Sequence, residues 1–333
     1  MFVTNQIYAI DHHHGQASRT ILSGYPTIRG ATMRDKQSYY LEHMGWLHES
    51  LIREPRGHRN MLGSIVTDPV NEGSAFGVLF LHAFGTFESC GDSTFATAFA
   101  ALETGLVAPV APLTRFAMDT VLGPIDIEAD VHNGVVTEVR FVNVPAYEVG
   151  QVELNVPDLG QVRLDVGFGG QYHGFVDAPA LGIAVDRKSE SELIAAARKI
   201  WAKAGKILPI RDPENGQEIP LNLVSFIAND GGPDSFRVAH VYPPGRMGRT
   251  PGGTGTCALM GIRAARGTYS PAKQFRMTSV IGSTFTGTGT VATLPKGTRA
   301  LRPKLGAKSY MMGIHQFVID PQDPFGRGFI LEG

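Results

Sequence analysis

The chain has 333 residues, 43% of them hydrophobic and 18% charged, enough for about two packed domains. This excludes a disordered tail or a disulfide-stapled miniprotein. Thirty basic against 31 acidic residues leave a net charge of −1, which points to neither nucleic acid nor a membrane surface.

Read in chain order, residues 5–11 and 19–22 are short strands and 35–52 is one helix closed by Glu54-Pro55-Arg56-Gly57. Strands follow at 60–67 and 74–84. The Ala-rich run after Ser89-Cys90-Gly91-Asp92 predicts a buried helix over 93–104. Strands are expected at 126–131, 135–142, 162–166 and 174–176, then an amphipathic helix at 189–203 started by Ser189 and Ser191. Residues 206–216 read as a loop, and 221–227 and 236–242 as strands. Glycines 252, 253 and 255 lead into a second small-residue helix, and strands at 310–319 and 328–331 close the chain. The halves repeat one outline: strands, a glycine turn, a short apolar helix, more strands. The expected division is 1–150, carrying Cys90, and 151–309, carrying the 252–256 turn. The crossing is placed at 147–158, and the stretch from about 310 to 333 is free to return to the first lobe.

Nothing in the sequence is apolar for long enough to span a bilayer. Residues 1–15 lack the cationic start and apolar run of an export signal. The two cysteines, Cys90 and Cys257, stand far apart. A cytoplasmic protein with free thiols is therefore expected. His12, His13 and His14 invite a metal reading, but no partnered carboxylate or thiol is visible, so a surface or substrate-lining strand end is expected rather than a metal. The glycines at 252–255 lack the Gly-Lys-Ser/Thr ending of a phosphate loop.

The two glycine-led helix starts carry the chemistry. Unsatisfied N–H groups and a partial positive charge gather at such ends, so they favour a carboxylate. Gly91 and Asp92 supply donors in the first half, Gly253 and Thr254 in the second. Cys90 stands where a helix dipole lowers a thiol's pKa. A thiolate beside a bound carboxylate can take the proton from the neighbouring carbon, and the helix-end donors steady the charge that spreads onto the carboxylate. Asp92 works against this, because a carboxylate near Cys90 raises its pKa. It could instead hold a substrate ammonium, serve as the acid for a leaving hydroxyl, or simply cap the helix. Phe168, Tyr172 and His173 either line a small ring-shaped substrate or fill the lobe interface, with lining favoured, and His14 is read at a substrate-lining or surface strand end.

Several motifs in order resemble the proline racemase family, which includes hydroxyproline epimerases and trans-3-hydroxyproline dehydratases. They are Ser18-Arg19, Ser23-Gly24, Glu54-Pro55-Arg56-Gly57-His58, Cys90-Gly91, Glu103-Thr104-Gly105 and Phe168-Gly169-Gly170. Arg249-Thr250-Pro251, Gly253-Thr254-Gly255-Thr256, the run 281–287, Asp323-Pro324-Phe325 and Gly328-Phe329 complete the match. The resemblance implies an α+β, diaminopimelate-epimerase-like fold: two similar lobes, each a mostly antiparallel sheet or barrel wrapped around a central helix. It implies a substrate held between the two helix starts, no cofactor, no metal, an amino acid as the only partner, and a possible homodimer. In racemases of this kind one cysteine from each lobe faces the α-carbon.

The sequence departs from that pattern in the second half. The second cysteine position is Gly252, the aspartate that meets the substrate's amino group is Gly248, and the histidine after Cys-Gly is Asp92. Cys257 lies more than one helical turn further on, so it is not expected to substitute. A single thiol suits elimination better than two-thiol racemisation. The sequence therefore favours dehydration of a trans-3-hydroxyproline-type substrate, with Gly252 leaving room for water or a larger substrate. The alternatives are a proline or hydroxyproline racemase or epimerase with a non-thiol second acid/base, and a carboxylate-binding protein without turnover.

Overall fold

The computed structural model describes residues 5–221 and 223–331. One position of the strand expected at 221–227, Asn222, lies outside the described residues, as do residues 1–4 of the N-terminal segment read for an export signal. The elements run β1 (Asn5–His13), β2 (Ala17–Ser23), α1 (Met33–His43), α2 (Gly45–Ile52), β3 (Leu62–Thr67), β4 (Ser74–His82), β5 (Gly85–Phe87), α3 (Gly91–Glu103), β6 (Leu113–Thr120), β7 (Gly123–His132) and β8 (Val135–Val142). Then come β9 (Ala146–Val156), β10 (Gly160–Phe168), β11 (Tyr172–Asp177), α4 (Glu190–Ala204), β12 (Ile207–Arg211), β13 (Glu218–Pro220), β14 (Val224–Gly232), β15 (Ser235–Tyr242), β16 (Arg246–Met247), α5 (Gly253–Ala265), β17 (Phe275–Ser279), β18 (Thr284–Thr293), β19 (Arg299–Ala307) and β20 (Tyr310–Ile319).

The chain divides into two compact units, one running to Phe141 and resuming at Ala307, the other Val142–Gly306. In the first, the strands neighbour one another in the order β20-β1-β2-β3-β4-β6-β7-β8, with β2–β3 and β4–β6 parallel and the other pairs antiparallel. In the second the order is β9-β10-β11-β14-β15-β17-β18-β19, with β11–β14 and β15–β17 parallel. There β19 pairs back onto β9 through Ala300 with Tyr147 and Leu301 with Ala146, closing a barrel.

The two strand orders correspond one to one, so the duplicated outline read in the sequence is a duplicated topology. In each unit the second parallel crossover carries a helix buried almost all round: α3 against β1, β2 and β3, and α5 against β9, β10, β11 and β18. A helix with no polar face must be enclosed on every side, and the wrapping sheet does that. Small residues let the strands come close. A Cβ on Gly261 of α5 would stand 2.5 Å from the backbone of β9, and one on Gly169 would stand 2.4 Å from the Thr254 carbonyl oxygen.

Several sequence expectations need correction. The helix expected at 35–52 is two helices, broken at Met44 (φ −128°, ψ 8°) just before Gly45. It starts earlier than expected because Thr32 and Asp35 form a reciprocal capping box. The expected loop at 206–216 contains β12, which pairs with β13. The final strand at 328–331 reduces to one antiparallel bridge between Phe329 and Glu54. Ser189 does cap α4, but without a side-chain hydrogen bond; Asp186 Oδ1 instead accepts from the N–H groups of Lys188 and Ser189. Residues 147–158, read as a crossing, lie mostly in β9. No described helix is long and apolar enough to cross a membrane.

Two motif groups are structural. Arg19 makes a buried bidentate pair with Asp11 (2.8 and 2.7 Å) and donates to the carbonyls of Leu51 and Arg56. Arg56 reaches Asp323 at 3.3 Å, and Gly328, at φ +71°, packs so tightly that a Cβ would stand 2.4 Å from the Glu49 carbonyl oxygen. The Glu-Pro-Arg-Gly and Asp-Pro-Phe motifs thus tie the returning C-terminal segment to the end of α2.

Candidate active site

In the first unit Cys90 is the N-cap of α3, and its carbonyl accepts both the N–H (2.9 Å) and the hydroxyl (2.9 Å) of Thr94. Its Sγ lies 3.5 Å from Ser93 Oγ, which is 3.2 Å from Ser18 Oγ on β2. Only 8% of the residue is exposed. Burial, and after it the charge of Asp92, push the thiol up to about 12. The expectation of a lowered pKa is therefore corrected: desolvation outweighs the helix dipole, and Cys90 rests as a protonated thiol.

Asp92 is not the cap but the second residue inside α3, where a negative charge complements the helix end. Its Oδ1 lies 2.8 Å from His14 Nε2, and His14 Nδ1 lies 3.1 Å from Ser309 Oγ on the returning segment. His12, on the same face of β1, bonds Glu103 at the other end of α3 (2.7 Å). Among the described residues no group of three or more His, Cys, Asp and Glu side chains is placed to hold a metal ion.

In the second unit Gly252 is the N-cap of α5, with Gly253 and Thr254 as the first helical residues. Gly252 has φ +69°, and a Cβ there would stand 2.7 Å from both Cδ2 and Nε2 of His240. The room expected beside Gly252 does not exist, because a histidine ring fills it. Gly248 differs: a Cβ would meet nothing nearer than Tyr242 Cε2 at 3.4 Å, and the residue lines a cavity of about 280 Å³ with Arg187, Glu190 and Arg249. Cys257 is fully buried and pushed up to about 12 by burial, with the Asn143 side chain acting in the opposite direction.

His240 continues a chain of hydrogen bonds. Its Nε2 lies 2.6 Å from the Pro251 carbonyl oxygen and its Nδ1 2.8 Å from Ser225 Oγ. Ser225 Oγ lies 3.0 Å from His173 Nδ1, and His173 Nε2 lies 3.0 Å from Thr254 Oγ1. Burial, and after it His240, hold His173 well below the ordinary histidine range, so its ring is neutral. His173 faces α5. The adjacent Tyr172 therefore points to the other side of β11, where its ring meets Phe168 at 5.1 Å and its hydroxyl donates to Asp212 (2.7 Å), as does that of Tyr147 (2.8 Å). Phe168 and Tyr172, expected to line the substrate, form an aromatic cluster with Tyr147.

The family model for proline racemase matches residues 9–330. The chain belongs to the proline racemase family. A proline racemase of Clostridioides difficile is 32% identical over the full length of both chains. A 4-hydroxyproline epimerase of Brucella suis is 32% identical over 98% of each. The structure of a hydroxyproline epimerase of Agrobacterium vitis, with trans-4-hydroxy-L-proline bound, superposes with a TM-score of 0.87 at 25% identity, covering 99% of this chain and 96% of that one. The protein is thus an enzyme of a family of cofactor-independent amino-acid racemases and epimerases. At the starts of the two buried helices stand Cys90, the cap of α3, and Gly252, the cap of α5, where a Cβ would stand 2.7 Å from the His240 ring. Sequence reasoning passed over Ser225 and His240. Their signal was thin, since a serine and a histidine inside apolar strands read as ordinary core polar residues.

Proposed function

We propose that this enzyme epimerises a proline-type amino acid at its α-carbon, with the Cys90 thiol as one of two proton carriers and the other carrier not a thiol. One observation carries the reading: Cys90 caps α3 with its thiol held protonated, while Gly252 has no space for a second thiol. A resting S–H is a proton donor. It completes inversion by protonating a carbanion whose proton another group has removed, and it returns to S–H when the reverse direction runs. Donors at the helix start, the N–H groups of Gly91 and Asp92, suit the substrate carboxylate, where charge gathers as the α-proton leaves. The named relatives, racemases and epimerases, agree with this outcome.

A second reading is dehydration of a trans-3-hydroxyproline-type substrate by Cys90 as a single base. The loss of the second thiol favours it, and Asp92, buried beside His14, is the available acid for the departing hydroxyl. It requires Cys90 to be deprotonated before the reaction starts, against the burial that keeps the proton on. The test is to incubate the enzyme with L-proline, trans-4-hydroxy-L-proline and trans-3-hydroxy-L-proline and follow products by proton NMR and chiral chromatography. The α-epimer of any of them supports the first reading; a pyrroline carboxylate from the 3-hydroxy compound alone supports the second.

A further inference from the structure

The sheet of the first unit is covered unevenly. On the face that carries α3, the helix packs on β1, β2 and β3. β20 extends that face beyond β1. In its register Ile314 stands opposite Ile10, Gln316 opposite Tyr8 and Val318 opposite Gln6, so these side chains share one side of the sheet. Ile10 is 3% exposed, whereas Ile314, directly across from it, is 73% exposed. Tyr310 is 53% exposed, and Tyr8, Met311, Met312 and Val318 lie between 42% and 49%. The reverse side of the same two strands is closed, because Ile7, Ala9, Phe317 and Ile319 pack into a core with Tyr40, Leu47 and Leu51 of α1 and α2.

Charge and area both point to what covers the open face. The run Tyr310–Ile319 contains no Asp, Glu, Lys or Arg, and the β1 residues beside it are Gln6 and Tyr8. Its one histidine, His315, lies against Asp11 Oδ2 (3.2 Å). Gln316 donates from Nε2 to Gln6 Oε1 (2.9 Å) and to the Tyr8 hydroxyl (3.0 Å), so these polar groups bond one another within the face, which lowers the cost of burying them. A charged partner finds no complement here. A second copy does, because a two-fold contact sets the patch against itself and therefore requires one without charge of a single sign. At about 200 Å² for a fully exposed side chain of this size, the six exposed residues show roughly 600 Å², the upper end for the largest patch of a monomer. Two copies bury about 1,200 Å² between them, above the roughly 1,000 Å² that separates a stable interface from an incidental contact.

We propose that the chain forms a homodimer in which this face of β1 and β20 packs on its own copy about a two-fold axis. Ile314, the most exposed large apolar residue among those described, is its anchor. No group at the start of α3 takes part, so the dimer is independent of which reaction Cys90 serves.

Sedimentation velocity tests this on the full chain. At about 50 µM the native enzyme should have twice the mass of one chain, since interfaces of this size hold at micromolar concentration or better. Ile314→Lys brings like charges to the interface and should raise the dimer Kd about 100-fold or more. Ile314→Lys combined with Val318→Lys should be monomeric at the same concentration, with the native circular dichroism spectrum, because both side chains point away from the core. Val135→Lys, at an exposed apolar position on β8, should leave the dimer intact. A native enzyme that stays monomeric overturns the proposal, whether the face then meets another protein or none. A dimer that survives the double substitution in a folded chain overturns it too, because the two copies then meet elsewhere.

Discussion

Thr254 stands on α5 where Asp92 stands on α3, two residues past the cap, and each sets a side-chain oxygen on the Nε2 of a histidine: 3.0 Å to His173 and 2.8 Å to His14. In both units the histidine's Nδ1 then meets a serine, Ser225 or Ser309. The two units share a histidine–serine pair behind the helix start and differ in its head group, a carboxylate beside a thiol in one and a hydroxyl beside a glycine in the other.

The head group in the first unit tunes the thiol. After burial, Asp92 is the charge that raises Cys90. With the thiol pushed up to about 12, the thiolate fraction at pH 8 is about one in ten thousand. Native Cys90 is therefore expected to react with iodoacetamide far more slowly than the unfolded chain. Asp92→Asn removes the repelling charge and should speed alkylation at pH 8 by about ten-fold, the size of one pKa unit. Mass spectrometry of the Cys90 peptide over time measures both rates, and a slower reaction in Asp92→Asn would contradict the assigned sign.

The two departures from the family pattern in the second unit differ in steric character. Gly248→Asp is expected to fold with little change in Tm, since the nearest atom to a Cβ is 3.4 Å away on a side chain. Gly252→Cys meets the His240 ring at 2.7 Å and a left-handed backbone at φ +69°. It should cost roughly 2–5 kcal/mol from strain and overpacking. Pairing Gly252→Cys with His240→Ala should recover part of the stability. Urea unfolding of the three variants checks the order.

Both cysteines hold their protons more tightly folded than unfolded, each pushed up to about 12 by burial. The sign follows: below about pH 8.5, the ordinary thiol value, this contributes its full stability, and it is lost as pH rises from there toward 12. Calorimetric Tm should fall over that window, and Cys257→Ala should show a shallower fall than the native chain. Equal slopes would contradict the burial argument for Cys257.

The Arg19–Asp11 pair anchors the first unit from inside. Asp11→Ala strands a buried guanidinium that is also bonded to the carbonyls of Leu51 and Arg56. About 3–5 kcal/mol of stability should go, the usual cost of breaking a buried pair. Arg34 and Glu88, an exposed pair at 2.7 Å, should give less than about 1 kcal/mol under the same measurement.

How far the sequence could be read depended on the kind of signal. Buried helices α3 and α5 were legible because glycine, alanine and threonine runs leave no polar face, and their repetition exposed the duplication. Cys90 was legible because cysteine before glycine at a helix start is rare chemistry. Its resting state was not, because the helix dipole can be read locally while burial depends on the strands β1, β2 and β3 that pack on α3. His240 could not be placed in advance, since its fit against Gly252 depends on the register between β15 and the turn before α5. Likewise, which side of β11 faces α5 decided between His173 and Tyr172, and alternation along a strand does not say which face is inward until the barrel closes.

The most direct measurement is the fate of the α-proton in Cys90→Ala. The native enzyme in deuterated water should convert a proline-type amino acid to its α-epimer with deuterium at Cα. Cys90→Ala should bind the same amino acid yet lose that conversion by about 100-fold or more. Deuterium incorporation and inversion at the native rate without the Cys90 sulfur would contradict the account, as would an enzyme that binds the amino acid and never exchanges its α-proton.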